Sequence, residues 1–176
     1  MTYKAYSTLV FAALLTACGG ASDVPANGAD APSAVAAPSP IGLGKTGKAE
    51  GVDFTVTAVA TPNQVGPTGV GAKADAGETF VVVSYTIKNT SGQALELMNR
   101  PAVTLVDPKG QTYAPDEMAA GMSAAMMDDV SGMASDLNPN VSAKTKTAWK
   151  VDKAAFDKAT WRLTVATDPA LTFALK

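Results

Sequence analysis

Five of the seven methionines fall between positions 118 and 133: Met118, Met122, Met126, Met127 and Met133. Three of them stand four residues apart, which puts Met118, Met122 and Met126 along one face of a helix. Thioethers are soft ligands that suit Cu(I), so the segment is a candidate metal site. The same spacing also describes a helix laying a flexible apolar face on a core, and methionine at helical spacing is first a packing pattern. A third use is an adaptable surface for a protein partner. Lys144, Lys146 and Lys150 alternate with Thr145, Thr147, Trp149 and Val151. This places the ammonium groups on one side of a strand, where a solvent-facing role outweighs an anion site. Asp116, Glu117, Asp128, Asp129 and Asp136 lack the spacing of a calcium loop. They are read as helix-capping and solvated groups. Gly66 to Lys73 (GPTGVGAK) lacks the Gly-Lys-Ser/Thr ending of a phosphate loop and is read as an inter-strand loop.

The residues that are missing narrow the chemistry further. The 176-residue chain contains no histidine, which removes the commonest general base and the commonest metal ligand. Cys18 is the single cysteine, so neither an internal disulfide nor a thiolate zinc cluster can form. With 17% charged residues and a net charge of -2, the chain has no basic stripe for nucleic acid. A non-enzymatic protein is expected.

The amino terminus gives Cys18 a use. Lys4 precedes the apolar run Thr8 to Leu15 (TLVFAALL). That run is too short to span a bilayer but suits the core of a signal peptide. Leu15, Thr16, Ala17 and Cys18 follow, and they resemble the bacterial lipobox. The resemblance implies that residues 1–17 are removed and that Cys18 is acylated as the new first residue. Cleavage would take away one of the 14 basic residues and none of the 16 acidic ones, leaving a net charge of -3. Gly19, rather than Asp, follows the cysteine. If the host is Gram-negative, this implies the outer membrane, with the domain facing the periplasm or the surface. From Gly19 to Leu43, 18 of 25 residues are Gly, Ala, Ser or Pro. Such a composition cannot bury enough apolar surface to offset ordering. Residues 18–44 therefore read as an anchored tether and residues 45–176 as the domain.

The domain reads as strands. Val52, Phe54 and Val56 alternate with polar residues, and Thr79 to Asn89 is apolar on both faces in its first half, as a central strand would be. Asn89 to Gly92 is a turn cluster. Leu95 and Leu97 predict a short strand, Val103 to Val106 another, and Thr112 with Tyr113 the return strand. Asp107, Pro108, Lys109 and Gly110 between the last two suit a type I turn. Trp161, Leu163 and Val165 alternate, as do Leu171, Phe173 and Leu175. Pro115 to about Met127 is the helix candidate, although Gly121 weakens it. The pattern predicts an all-β chain: an immunoglobulin-like β-sandwich of about seven to eight strands, with one short helix in an inter-strand connection.

Gly77 to Leu97, Val103 to Tyr113, Leu137 to Val151 and Trp161 to Val165 fall in the order of the telokin-like, immunoprotective-extracellular family of Ig-like domains. The chain resembles that family over roughly residues 45–176. The family often stands behind a lipobox and a low-complexity linker, and it brings no catalytic residue set. Asn140 departs from the glycine usual there, and asparagine is the next-best residue for a positive φ. The expectation is a lipid-anchored cell-envelope module that binds a protein or envelope component. Cu(I) handling through the methionines, or immunity to a secreted toxin, is the alternative. No cofactor is expected beyond the lipid on Cys18.

Overall fold

A computed structural model gives the architecture, and it describes residues 39–127 and 135–176. In chain order the strands are β1 (Thr46–Ala49), β2 (Val52–Ala60), β3 (Gln64–Val65), β4 (Ala72–Lys73), β5 (Glu78–Asn89), β6 (Val103–Val106) and β7 (Thr112–Tyr113). Helix α1 (Glu117–Ala125) follows, then β8 (Ser142–Asp152), β9 (Arg162–Val165) and β10 (Leu171–Ala174). One four-stranded sheet runs β1-β2-β5-β8, the other β10-β9-β6-β7, and β3 with β4 makes a small separate hairpin. With β1 and that hairpin set aside, the orders β2-β5-β8 and β10-β9-β6-β7 correspond to strands A-B-E and G-F-C-C′ of an immunoglobulin-like sandwich. The expected all-β sandwich with one short helix is the fold observed.

The alternation in the sequence decides which side chains meet between the sheets. Phe54, Val81, Val83 and Trp149 from one sheet and Leu105, Leu163 and Phe173 from the other are almost wholly buried. Tyr85 stacks on Phe54 with ring centroids 4.7 Å apart, and its hydroxyl shares a 2.9 Å hydrogen bond with Thr147 Oγ1. Burial pushes the Tyr85 phenol above its ordinary pKa.

Turn chemistry fixes the connections. Asp107 Oδ1 accepts from the amides of Lys109 (2.9 Å) and Gln111 (2.8 Å), while Gly110 takes φ +81°. This is the type I turn with a left-handed residue that three-residue hairpin loops favour. Asn140 takes φ 66°, and the Val141 amide donates to the Asn138 carbonyl at 3.0 Å. Asparagine thus fills a left-handed turn position there. Asn89 is fully buried, and all its polar atoms are used. Its Nδ2 donates to the carbonyls of Gln93 and Leu137, both at 2.7 Å. Its Oδ1 accepts from the amide and hydroxyl of Ser91 at 2.9 and 2.7 Å.

Three expectations need adjustment. Leu95 and Leu97 do not form a strand. Leu95 makes a single bridge to Leu137, and Leu97–Asn99 is a 3₁₀ turn whose first amide donates to Asp136 Oδ1 at 2.9 Å. The chain is crossing from one sheet to the other there, so an extended run has no neighbour to continue along. The helix spans Glu117–Ala125 rather than Pro115 to Met127. Asp116 is its N-cap, accepting from the Ala119 amide at 2.9 Å, and Met126 closes it. Finally, Ile41 is already paired with β10: its amide donates to Thr172 O and its carbonyl accepts from the Ala174 amide, both at 2.8 Å. The domain therefore gathers chain four residues before Lys45. Gly47 leaves the space that Ile41 fills, since a Cβ there would lie 2.6 Å from Ile41 Cδ1.

Candidate binding groove

The outer face of the β1-β2-β5-β8 sheet has two halves. Along β5 the outward residues are Phe80, Val82, Ser84, Thr86 and Lys88, and along β8 they are Lys150, Ala148, Lys146, Lys144 and Ser142 in register with them. The first half is covered. Phe80 and Ala148 are buried beneath α1 and the β3–β4 hairpin, in a second small core with Val65, Ala72 and Ala119. This explains why the first half of β5 is apolar on both faces. The second half, from Ser84 and Lys146 onward, carries hydroxyls and ammonium groups.

Two hollows lie at the border between these halves. The larger, about 380 Å³, is lined by Thr57, Ser84, Thr86, Lys144, Lys146, Met126 and Met127, together with Tyr85 and Thr145. The smaller, about 260 Å³, is lined by Ala60, Pro62, Gln64, Val65, Gly66, Val82, Ser123, Met126 and Lys146. They share Met126 and Lys146. Thr57 reaches the larger hollow from the β-bulge between Val56 and Ala58, its hydroxyl donating to Ser84 O at 3.1 Å. Among the described residues neither lining contains a carboxylate. Lys150 has an ion pair with Glu78 at 3.7 Å, whereas Lys144 and Lys146 have none among the described residues. Ser123 Oγ is buried without a hydrogen-bond partner among the described residues.

The face of α1 that lies on the sheet is made of small residues. Ala119, Ser123 and Ala124 are buried, which lets the helix pack close over Ala148. Of the methionine stripe, Met122 joins this packing, while Met118 and Met126 stay outside it. Met118 is 64% exposed and Met126 57%, while Met122 is half-buried with its sulfur against Gly66. Met126 and Met127 border one hollow, and Met122 and Met118 do not join them there. Met133, Asp128, Asp129 and Cys18 lie outside the described residues. Among the other acids, Asp116 caps α1, Asp136 holds the Leu97 amide and Glu117 stands in the first helical turn. Gly66 to Lys73 is the turn and second strand of the β3–β4 hairpin. Gly66 and Gly69 have positive φ, and a Cβ on Gly71 would lie 2.5 Å from Val65 O, so tight turning accounts for its glycines. The hairpin and the buried Ser123 hydroxyl escape the sequence reading. Two-residue strands give no periodicity, and an orphaned hydroxyl is defined only by what packs around it.

Cu(I) competition titration separates packing from ligation at the methionines. The full chain and its Met118→Leu/Met122→Leu/Met126→Leu variant are expected to bind Cu(I) equally. The variant should unfold within about 1.5 kcal/mol of the parent, because leucine and methionine are close in volume. A 1:1 site lost in the variant would instead make these sulfurs ligands.

Two antiparallel sheets in an immunoglobulin-like order, with a helix and hairpin bordering a groove on one outer face, define a β-sandwich domain. The chain belongs to the family described as domain of unknown function DUF4352, whose model matches residues 41–171. It is 39% identical over 127 residues to the uncharacterized protein YxkC of Bacillus subtilis (strain 168), covering 72% of this chain and 71% of that one. The fold is similar to a conserved hypothetical protein from Bacillus anthracis, with a TM-score of 0.65 and 24% identity, over 77% of this chain and 95% of that one. It is also similar to an uncharacterized β-sandwich protein from Clostridium difficile 630, with a TM-score of 0.52 and 15% identity, over 78% and 95% of the two chains.

Proposed function

We propose that the protein is a non-enzymatic, lipid-anchored binding module of the cell envelope, built on a telokin-like Ig domain, and that the groove beside α1 is its binding face. One observation carries this reading. On the outer face of the β1-β2-β5-β8 sheet, Lys144 and Lys146 stand without ion pairs among the described residues, beside hydroxyls and the exposed Met126. Charge without a partner next to an adaptable apolar side chain is the composition of a surface that receives something. The amino-terminal segment ending at Cys18 supplies the anchor and the alanine- and proline-rich tether the reach. The ligand is a protein or other envelope component.

The test uses a photo-crosslinking amino acid placed in the full chain in intact cells. At Thr86, beside the groove, irradiation should give discrete higher-mass adducts. At Thr104, on the opposite sheet, it should give none. Identical patterns from both positions would remove the groove from the proposal.

A further inference from the structure

The smaller hollow is more specific than a general contact surface. Its walls are mostly apolar: Pro62, Val65, Val82 and Met126. Two polar groups within it stand out. The first is Lys146, half-buried, with no ion pair among the described residues. The second is Ser123, 4% exposed, whose hydroxyl has no hydrogen-bond partner among them. A hydroxyl buried and unpaired costs stability that replacement by alanine would recover. Both groups can donate, and no described carboxylate competes for them. A small apolar pocket with a few convergent polar groups is the usual form of a site for a small molecule.

We propose that this hollow binds a small organic carboxylate with an apolar body. The carboxylate accepts from the Lys146 ammonium and from the Ser123 hydroxyl, which turns out of its buried position to donate to it. The body lies on Val65, Val82 and Met126 and extends toward the larger hollow, which shares Met126 and Lys146. An inorganic anion would leave the apolar walls unused, and a neutral alcohol would leave the ammonium unpaired. The site would thus select for both features at once. Charge-assisted hydrogen bonds supply orientation, and apolar contact supplies the remaining affinity. This deepens the reading of the groove as the binding face and rests on it.

The experiment follows methionine methyl resonances in the full chain carrying Cys18→Ser, kept in solution without detergent. The probes are octanoate, octanol and inorganic phosphate. Octanoate should shift the Met126 methyl saturably and leave Met98, which lines neither hollow, in place. Octanol and phosphate should bind at least about tenfold more weakly, as expected when a hydrogen-bonded charge or the apolar contact is missing. Lys146→Gln should weaken octanoate about tenfold or more. Ser123→Ala is the decisive variant. It should raise the melting temperature of the free protein, because the orphan hydroxyl is gone, and yet weaken octanoate. A purely structural Ser123 would leave octanoate affinity unchanged. Octanoate affinity unaffected by Lys146→Gln, or matched by octanol or by phosphate, overturns the proposal, as does the lack of a Met126 shift. Crosslinks at Thr86 together with failure of octanoate would overturn this inference alone. Failure of the crosslinks together with selective octanoate binding would overturn the macromolecular partner and keep the carboxylate site.

Discussion

Trp149→Ala is expected to lower the unfolding free energy by about 3–5 kcal/mol. Trp149 is completely buried between the sheets, opposite Val81 in the β5–β8 register. Truncation removes the largest class of apolar side chain and leaves a cavity, because the flanking strands are held by their ladders and relax only in part. A second loss adds to the first. The indole Nε1 donates to the Tyr113 carbonyl at 3.0 Å, tying the sheet that contains β8 to strand β7 of the other sheet. Alanine removes that hydrogen bond between the sheets, whose net worth is on the order of 1 kcal/mol. Urea unfolding of variant and parent, compared at similar slope, measures the difference. Trp149→Phe should recover much of the packing and none of the hydrogen bond. A loss below about 1 kcal/mol for the alanine variant would mean that Trp149 is not a core anchor, a far smaller value than buried tryptophan truncation gives.

Trp149 also shows what a sequence exposes and what it hides. The alternation from Lys144 to Val151 separates the lysines from Thr147, Trp149 and Val151, and the structure keeps that separation. Ala148 shares the outward side with the lysines and is nevertheless fully buried. Strand periodicity gives the side to which a residue points but not whether another element covers that side. Here α1 and the β3–β4 hairpin cover half of the sheet, and the uncovered half meets them at the groove. The helix illustrates the same limit. Its existence and its Asp116 cap are legible from local chemistry. Its buried side is not: the methionines look like the apolar face, but close approach to Ala148 selects Ala119 and Ser123. Ile41 escapes because one apolar residue among Gly, Ala, Ser and Pro has no period. Lys146 and Met126 were each visible as residue types, while their meeting at one border depends on where the helix comes to rest.

Cys18→Ser is expected to abolish fatty-acid labelling. Leu15, Thr16 and Ala17 ahead of Cys18 resemble a lipobox, and on the proposed reading the acyl acceptor is the Cys18 thiol. Serine keeps the size of the side chain and replaces the sulfur with a hydroxyl that is a far weaker nucleophile near neutral pH. Metabolic labelling with a fatty acid should therefore fall to background. The protein should then be found as an uncut precursor or in the soluble fraction. Where the precursor is cut, the fall in membrane retention should be as complete as the fall in label, because two or more acyl chains hold a protein firmly and no acyl chain remains. Stability should not follow. Cys18 precedes Ile41, where pairing with β10 begins, so the purified variant should unfold at the parent's urea midpoint. Between Cys18 and that pairing lies a run rich in Ala, Pro, Gly and Ser. Equal label in variant and parent would refute acylation at Cys18 and leave the segment before it an ordinary export signal. Lost label with unchanged membrane retention would mean that a different part of the chain holds the protein at the membrane.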